Sequence, residues 1–529
     1  MELAELIAGL SRPAAYPFPA SHIEVRQTHI SVVFLTDNLV YKVKKPVDLG
    51  FLDFATLEKR KHYCDEEVRL NRRLAPSVYL GVVPITKSAA SVQFEGTGPL
   101  IEWAVKMKRL PDDATLQSQL RRGVISKQQI TAIAERLARF HRDSPALAAK
   151  ADMGGPATVA RNARENFEQS LSQLDRTVSA QVFERLRWLT DHFLETHHSL
   201  FETRSRDGWI RDTHGDLHTD HIYLFPKLAS PDDLVIIDCI EFNERFRFAD
   251  PVADMAFLYM DLKFQGHRGL AEQFADAYFA AAADHHGRSL LPFYSAYRAV
   301  VRAKVEGIGL QQPELPEEEK RRLKELAMRH WLVALGELES RNRRPCLILV
   351  GGLPGTGKST LAHRLSLIGD AELIRSDVVR KELAGLVPHQ SARSDFGHGI
   401  YSEDWSDRTY AECLRRAEHW LFQGRRVIID GSFGKDARRH AAIQLAERLG
   451  VPGMALICQA EDDVVAQRLE NRINDASDAD WTIYEKAAER WEPVSPSLHE
   501  RVVVIDTNST PEHGFAQAQA WLRNAGLSD

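Results

Sequence analysis

Cysteine is scarce and dispersed: Cys64, Cys239, Cys346, Cys413 and Cys458 are an odd set of five with no CxxC pair. That pattern argues against a zinc ribbon or a secreted disulfide frame and suits a reducing compartment. Also missing is any apolar run near the roughly 18 residues that cross a bilayer. Met1 to Leu10 lacks a basic segment leading into a long apolar one, so neither export nor membrane embedding is expected and we read the protein as cytoplasmic. Excess positive charge is absent as well: 68 Lys and Arg stand against 74 Asp and Glu, a net charge of -6. Without a general pull toward nucleic acid or anionic lipid, a nucleic-acid partner would need a local patch. The chain shows no internal repeat and no low-complexity tract.

What is present forms cores. With 529 residues, 44% hydrophobic and 27% charged, the chain is too long for one core and has no compositional case for disorder. His29 to Leu35 and Leu39 to Val43 read as a hairpin turning at Asp37-Asn38, from their β-branched content and turn residues. Helical patterns follow over Leu57 to Leu74, Gln129 to His141 and Ala180 to Phe201. A charged helical stretch from about Glu314 ends in Ser340-Arg341-Asn342-Arg343-Arg344-Pro345, where we place a boundary. Beyond it, apolar runs at Cys346 to Val350, Ala371 to Ile374, Val427 to Ile429, Met454 to Cys458 and Val502 to Ile505 alternate with amphipathic helices. Short buried strands separated by helices predict a parallel sheet covered on both faces.

The sharpest motif is Gly352-Leu353-Pro354-Gly355-Thr356-Gly357-Lys358-Ser359, a GxxxxGK(S/T) string between a strand and the helical stretch Thr360 to Leu365. Glycines let backbone N–H groups wrap phosphate oxygens at a helix N-terminus. Gly352, Gly355, Thr356, Gly357, Lys358, Ser359 and Thr360 are therefore the expected ATP cradle, with Lys358 reaching the β and γ phosphates and Ser359 on Mg2+. After the second strand, Asp377 and Arg380 form a DxxR that resembles the acceptor site of polynucleotide-kinase-like, gluconate-kinase-like and zeta-toxin-like P-loop kinases. The resemblance implies that Asp377 orients and deprotonates an acceptor hydroxyl and that Arg380 binds the substrate. Asp430, ending Val427-Ile428-Ile429, resembles a Walker B aspartate on the magnesium side, and Arg468 with Arg472 resembles the lid pair that stabilises the transferring phosphoryl. The plainer readings are a helix N-cap for Asp377, a strand end for Asp430 and a solvated ion-pair face around Glu470 for the two arginines.

A second constellation lies upstream. His214-Gly215-Asp216-Leu217-His218, followed by Leu234-Val235-Ile236-Ile237-Asp238, resembles the catalytic segment of aminoglycoside phosphotransferase-like and fructosamine-kinase-like enzymes. The resemblance makes Asp216 the base for the acceptor hydroxyl and Asp238 a magnesium ligand, and it extends over Cys239 to Asn243 and Asp250 to Asp254. The matching ATP lysine falls on the strand after the hairpin, where Lys42 is preferred and Lys44 shares its face; Glu67 is the ion-pair partner. Met107 to Leu110 would be the adenine hinge, and Asp48 to Phe54 is expected to pack near the lysine strand. His221 stands where the family has an asparagine as second metal ligand, and imidazole suits magnesium less than an amide oxygen does. His214, His218 and His221 by themselves form an incomplete ligand set for zinc.

Together the chain resembles bacterial fusions of an aminoglycoside-phosphotransferase-like domain with an AAA-type or zeta-toxin-like P-loop kinase domain. The resemblance implies an α/β multidomain protein: a protein-kinase-like bilobal α+β domain over 1–340, with a small lobe to about 108 and a helical lobe after it, then a three-layer P-loop domain over 341–529. It further implies an ATP- and Mg2+-dependent transfer to hydroxyls of small molecules such as sugars or aminocyclitols. A motor-type ATPase fits the DxxR less well, and a regulatory role for the first domain is the competing reading.

Overall fold

The computed structural model describes residues 2–50, 52–88, 91–146, 153–312, 315–387, 399–471 and 480–529. The chain divides into two compact units, Met1–Arg161 with Thr196–Ser295, and Asn162–Glu195 with Ala296–Asp529.

The first unit begins with an antiparallel sheet of β1 (Glu24–Gln27), β2 (Ser31–Leu35), β3 (Leu39–Lys44), β4 (Tyr79–Lys87), β5 (Val92–Phe94) and β6 (Leu100–Lys108), in the order β1-β2-β3-β6-β4-β5. Side chains alternate across a strand, and β3 uses both faces. Tyr41 and Val43 enter a core with Leu10, Tyr16 and Phe94, whereas Val40 enters another with Cys64 and Val68 of the helix Leu57–Asn71. Lys42 and Lys44 share the parity of Val40 and so face that helix. Thr56 fixes the helix start by accepting from the Lys59 N–H.

The rest of this unit is mainly helical. Lys127–Asp143 opens with a capping box between Ser126 and Gln129, and Pro251–Phe264 is buried along almost its whole length behind the N-cap Asp250. Two short ribbons, β7 (Arg211–Asp212) with β10 (Phe248–Ala249) and β8 (Ile222–Leu224) with β9 (Leu234–Ile236), flank the loops bearing Asp216 and Asp238. The helix expected over Ala180 to Phe201 is two, Ala180–Thr196 and His198–Arg206. His197 leaves helical geometry at φ -107 and ψ 11, where the chain passes from one compact unit to the other.

In the second unit β11 (Leu347–Gly352), β12 (Glu372–Arg375), β13 (Val427–Asp430), β14 (Gly453–Gln459) and β15 (Val502–Asp506) are all parallel, in the order β12-β13-β11-β14-β15. Each expected strand is present. β11 and β13 are buried at every position, which explains their unbroken apolar runs. Ile348, Val350, Leu361, Leu365, Ile428 and Leu456 form the core of one face. Because the strand order reverses at β11, the carboxyl ends of β11 and its neighbours open a crevice where such sheets bind ligands.

This unit also holds helices that lie far upstream. The Trp331 ring sits 5.8 Å from Phe183 and 6.3 Å from Phe167, and Arg185 pairs with Glu339 at 2.7 Å. A Cβ on Gly424 would come within 2.8 Å of both Val182 and Leu335. The helices Ala180–Thr196 and Glu317–Leu338 thus bury their apolar faces here, and the compact units part at places other than the sequence boundary near 340.

Candidate active sites

The crevice of the parallel sheet carries the glycine-rich string. Gly352, Gly355 and Gly357 have φ values of 144, 81 and 83, a region side chains disfavour. A Cβ on Gly352 would also meet the Cys458 carbonyl oxygen at 2.6 Å. The loop feeds the helix Lys358–Ser366, and the Thr507 hydroxyl lies 2.7 Å from the Thr356 carbonyl, tying the loop to the end of β15. A cavity of about 290 Å³ follows, lined by Gly355, Gly357, Lys358, Ser359 and Thr360, by Arg468, and by Thr507, Thr510, Pro511, Gly514 and Phe515.

Asp430 ends β13 buried, and its Oδ1 has no hydrogen-bond partner among the described residues. Burial raises its carboxyl above the ordinary range, and the neighbouring Asp377 adds to the effect; Lys358, Ser359 and Arg375 oppose it. An orphaned buried carboxylate oxygen beside a P-loop hydroxyl is a donor set for a hard divalent ion, so these residues fit Mg2+. Burial outweighs Lys358 and Arg375, whose Nε is 3.4 Å from Asp430 Oδ2, so the ionised carboxylate weakens the fold. Asp430→Asn should therefore raise the stability of the nucleotide-free protein by about 1 kcal/mol and abolish stabilisation by magnesium nucleotide. Thermal melts with and without the nucleotide read both effects, and equal stabilisation of variant and wild type would refute them.

Asp377 is half-buried in the first turn of Ser376–Leu383, directly after the Arg375↔Asp430 register pair. Arg380 is buried: its Nη1 donates to the Ile400 carbonyl at 2.7 Å and lies 3.1 Å from Ser406 Oγ, with the guanidinium over the Tyr401 ring. Here the guanidinium braces the start of the helix Glu403–Phe422. Arg468 lines the cavity and donates to the Thr507 carbonyl at 2.6 Å. Arg472 lies outside the described residues. Sequence reasoning passed over Thr507 to Phe515; its trace was Thr510-Pro511, a helix start straight after a strand.

The other centre lies within the first unit. Lys42 Nζ is 2.6 Å from Asp238 Oδ1 and 2.9 Å from Glu67 Oε1. Lys44, fully buried, is 2.7 Å from Glu67 Oε2 and pairs with Glu241. Burial alone would pull the Lys42 ammonium down, but Asp238, Glu67 and Glu241 outweigh it and hold its pKa well above the lysine range. Burial likewise opposes charge on Asp238, and Lys42 with His221 overcomes it, keeping the carboxyl far below its ordinary range. Lys42 thus faces the loop carboxylate, whereas Lys44 closes an inner network; the Phe54 ring lies 4.9 Å from Lys44 Nζ, so Phe54 packs on the lysine strand, and Phe51 of the same segment lies outside the described residues.

The loop bearing Asp216 is held from beneath. Asp254, fully buried, accepts from the His214 and Gly215 N–H groups at 2.9 and 2.8 Å and lies 2.9 Å from His141 Nε2. His214 Nε2 is 2.9 Å from the Ile237 carbonyl, joining this loop to the segment entering Asp238. Asp238 itself sits at φ 65, and its N–H donates to the Tyr79 hydroxyl at 3.2 Å. His221 Nδ1 is 2.9 Å from the Asp216 carbonyl and its Nε2 is 3.6 Å from Asp238 Oδ2. Tyr79 and His141 carry no local sign of a site-supporting role, because their partners lie more than a hundred positions away, and for the same reason Glu241, inside the family-like segment, shows no sign of its pairing with Lys44.

Burial drives the His214 imidazole down to about 4, and burial with His218 nearby lowers His221. A histidine depressed in the native state takes up its proton first in the unfolded chain. Between its ordinary value of about 6.5 and about 4, His214 therefore removes stability as pH falls, and above that window it costs nothing. The slope is at most about 1.4 kcal/mol per pH unit. Urea melts at pH 7, 5.5 and 4.5 should show a shallower acid loss in His214→Asn, and an identical slope would disprove this assignment.

Known proteins resemble the chain in two blocks. The model of the Phosphotransferase enzyme family matches residues 36–291 and that of an AAA domain matches 347–493. The uncharacterized proteins Rv2004c of Mycobacterium tuberculosis and Mb2027c of Mycobacterium bovis are each 36% identical over 461 residues, covering 86% of this chain and 88% of theirs. Among solved structures, a sugar kinase from Janibacter sp. HTCC2649 is 20% identical over 35% of this chain and 98% of its own, at a TM-score of 0.26. The amicoumacin kinase hAmiN, in complex with AMP-PNP, is 11% identical over 62% of this chain and 93% of its own, at a TM-score of 0.39. Likenesses that remote assign no residue a role.

Proposed function

The chain belongs to the family of these two mycobacterial proteins and joins a phosphotransferase-type domain to an AAA-type one, and from that premise we propose that it is a bifunctional ATP- and Mg2+-dependent kinase acting on hydroxyls of small molecules. Each compact unit brings a lysine and carboxylates together from distant points in the chain: Lys42, Glu67, Asp216 and Asp238 in one, Lys358, Asp377 and Asp430 in the other. That duplication carries the reading. Positioning and electrostatic stabilisation supply most of phosphoryl transfer, and both constellations offer a cation for phosphate, a carboxylate for the metal and a second carboxylate for the acceptor.

In this reading Asp216 and Asp377 are the bases, Ser359 and Asp430 hold magnesium, Asp238 and His221 hold the divalent ion of the first centre, and Arg380 serves the acceptor pocket of the second centre. Arg468, with Arg472, stabilises the transferring group. Mg2+ would supply charge neutralisation between the β and γ phosphates. Sugars or aminocyclitols are the acceptor class, and the division of chemistry near residue 340 belongs to the proposal. The five cysteines are buried and outside any disulfide, which supports a cytoplasmic setting, and among the described residues no helix is long and apolar enough to cross a membrane.

A competing reading makes the first domain a weakly catalytic regulator of the second, and His221 in the asparagine position favours it. The test is ATP turnover across a metabolite pool, with phosphorylated products read by mass spectrometry in wild type, Asp216→Ala and Lys358→Ala. Loss of a different product in each variant establishes two kinases. If only Lys358→Ala matters, the first domain is the regulator.

A further inference from the structure

The kinase-type centre of the first unit contains an electron-pair geometry that magnesium does not explain. His221 Nδ1 lies 2.9 Å from the Asp216 backbone carbonyl, which can only accept. In the neutral ring Nδ1 therefore carries the proton and Nε2 the lone pair. That Nε2 faces Asp238 Oδ2 at 3.6 Å. With the ring neutral, two lone-pair donors opposed at this distance repel each other unless a cation lies between them. Metal bonds of roughly 2.0 to 2.2 Å place two ligands of one ion about 3 to 4 Å apart, and this pair falls in that range.

The surroundings agree. A metal-bound imidazole commonly donates its other N–H to a backbone carbonyl, which fixes the ring; the Asp216 carbonyl fills that role. Asp238 is fixed as well, with Oδ1 taken by Lys42 at 2.6 Å, so that Oδ2 is the oxygen turned toward His221. His218, whose Nε2 is 3.6 Å from Asp216 Oδ2, joins Asp216 and His221 in a group whose donor atoms lie within 4.8 Å of one another. Mixed imidazole and carboxylate ligands suit Mn2+ better than Mg2+, which demands oxygen and gives up water reluctantly.

We propose that His221 Nε2 and Asp238 Oδ2 form a binding site for an imidazole-accepting divalent ion of the Mn2+ class, so that the first centre runs on a different metal from the P-loop centre. The inference rests on the kinase reading of this centre and gives His221 a constructive role there. Phosphate oxygens of the nucleotide and water would complete the coordination, with His218 and Asp216 alongside.

The test uses the full-length protein carrying Asp430→Asn, which removes the buried carboxylate of the other centre, and Mn2+ alone as the probe. Electron paramagnetic resonance counts bound Mn2+, and its nitrogen modulation reports a directly bound imidazole. We expect one Mn2+ with nitrogen coupling, displaced by Mg2+ only at concentrations at least tenfold higher. His221→Asn should remove the coupling and lower the Mn2+ to Mg2+ affinity ratio at least tenfold, and His221→Gln, which keeps the side-chain length, should do the same. Unchanged coupling or an unchanged ratio in both variants overturns the inference. If Asp238→Ala then still abolishes metal binding, the kinase reading stands without it; if no divalent ion binds and Asp238→Ala has no effect on nucleotide binding, both fall.

Discussion

Alanine at Lys358 should lower phosphoryl transfer at the parallel-sheet centre by about a hundredfold to a thousandfold, the size of effect seen when one preorganised group is removed from a developing charge. Lys358 opens the helix Lys358–Ser366 directly after Gly357, is itself buried, and acts on Asp430 across the crevice. Helix N-terminus and ammonium thus converge on the place where the glycine loop wraps. A planar guanidinium cannot replace a point charge in so tight a loop, so Lys358→Arg should not restore the rate. Single-turnover measurements separate this loss from weaker nucleotide binding. A rate within tenfold of wild type in Lys358→Ala would exclude the lysine from the transfer step.

Asp254→Ala should be the most damaging single change in the first unit. One carboxylate there accepts from two consecutive N–H groups, His214 and Gly215, and also meets His141, whose other nitrogen is 2.7 Å from the Tyr278 hydroxyl. Alanine leaves all three donors buried without their acceptor. Breaking a buried charged network of this kind costs about 3 to 5 kcal/mol, and the Asp216 loop loses its support. The expected result is a lowered denaturation midpoint together with loss of the product assigned to Asp216. Asp254→Asn keeps the shape and one acceptor, so it should recover much of the stability but less of the activity. Urea denaturation alongside product analysis checks both, and an unchanged midpoint in Asp254→Ala would show that the loop is held by other contacts.

How far the sequence reached differs between the two centres for a physical reason. The P-loop is contiguous, so the string from Gly352 to Ser359 already contained the loop, the lysine and the helix start, and the strands around it showed as buried apolar runs. The first centre is assembled from four separated segments. Its lysine face followed from the two-residue period of β3, yet Lys42 and Lys44 have the same parity and both reach Glu67. Only the packing of the helix and the Asp238 loop against that face gives Lys42 the loop carboxylate and Lys44 the inner Glu241.

By itself, then, the sequence determined what nearest neighbours along the chain can encode: strand and helix periods, the glycine loop and the aspartates after apolar strands, to which family resemblance added a fused kinase-type architecture. Tertiary structure alone decided the rest. It buried Arg380, expected from the DxxR string as a substrate-binding group, against the Ile400 carbonyl, joined the helices of 180–196 and 317–338 to the parallel-sheet unit, and set His221 Nε2 opposite Asp238. Such facts depend on which side chains meet when distant segments pack. Local propensity carries no information about that, because the same residue pattern is satisfied by a solvated face until another element covers it.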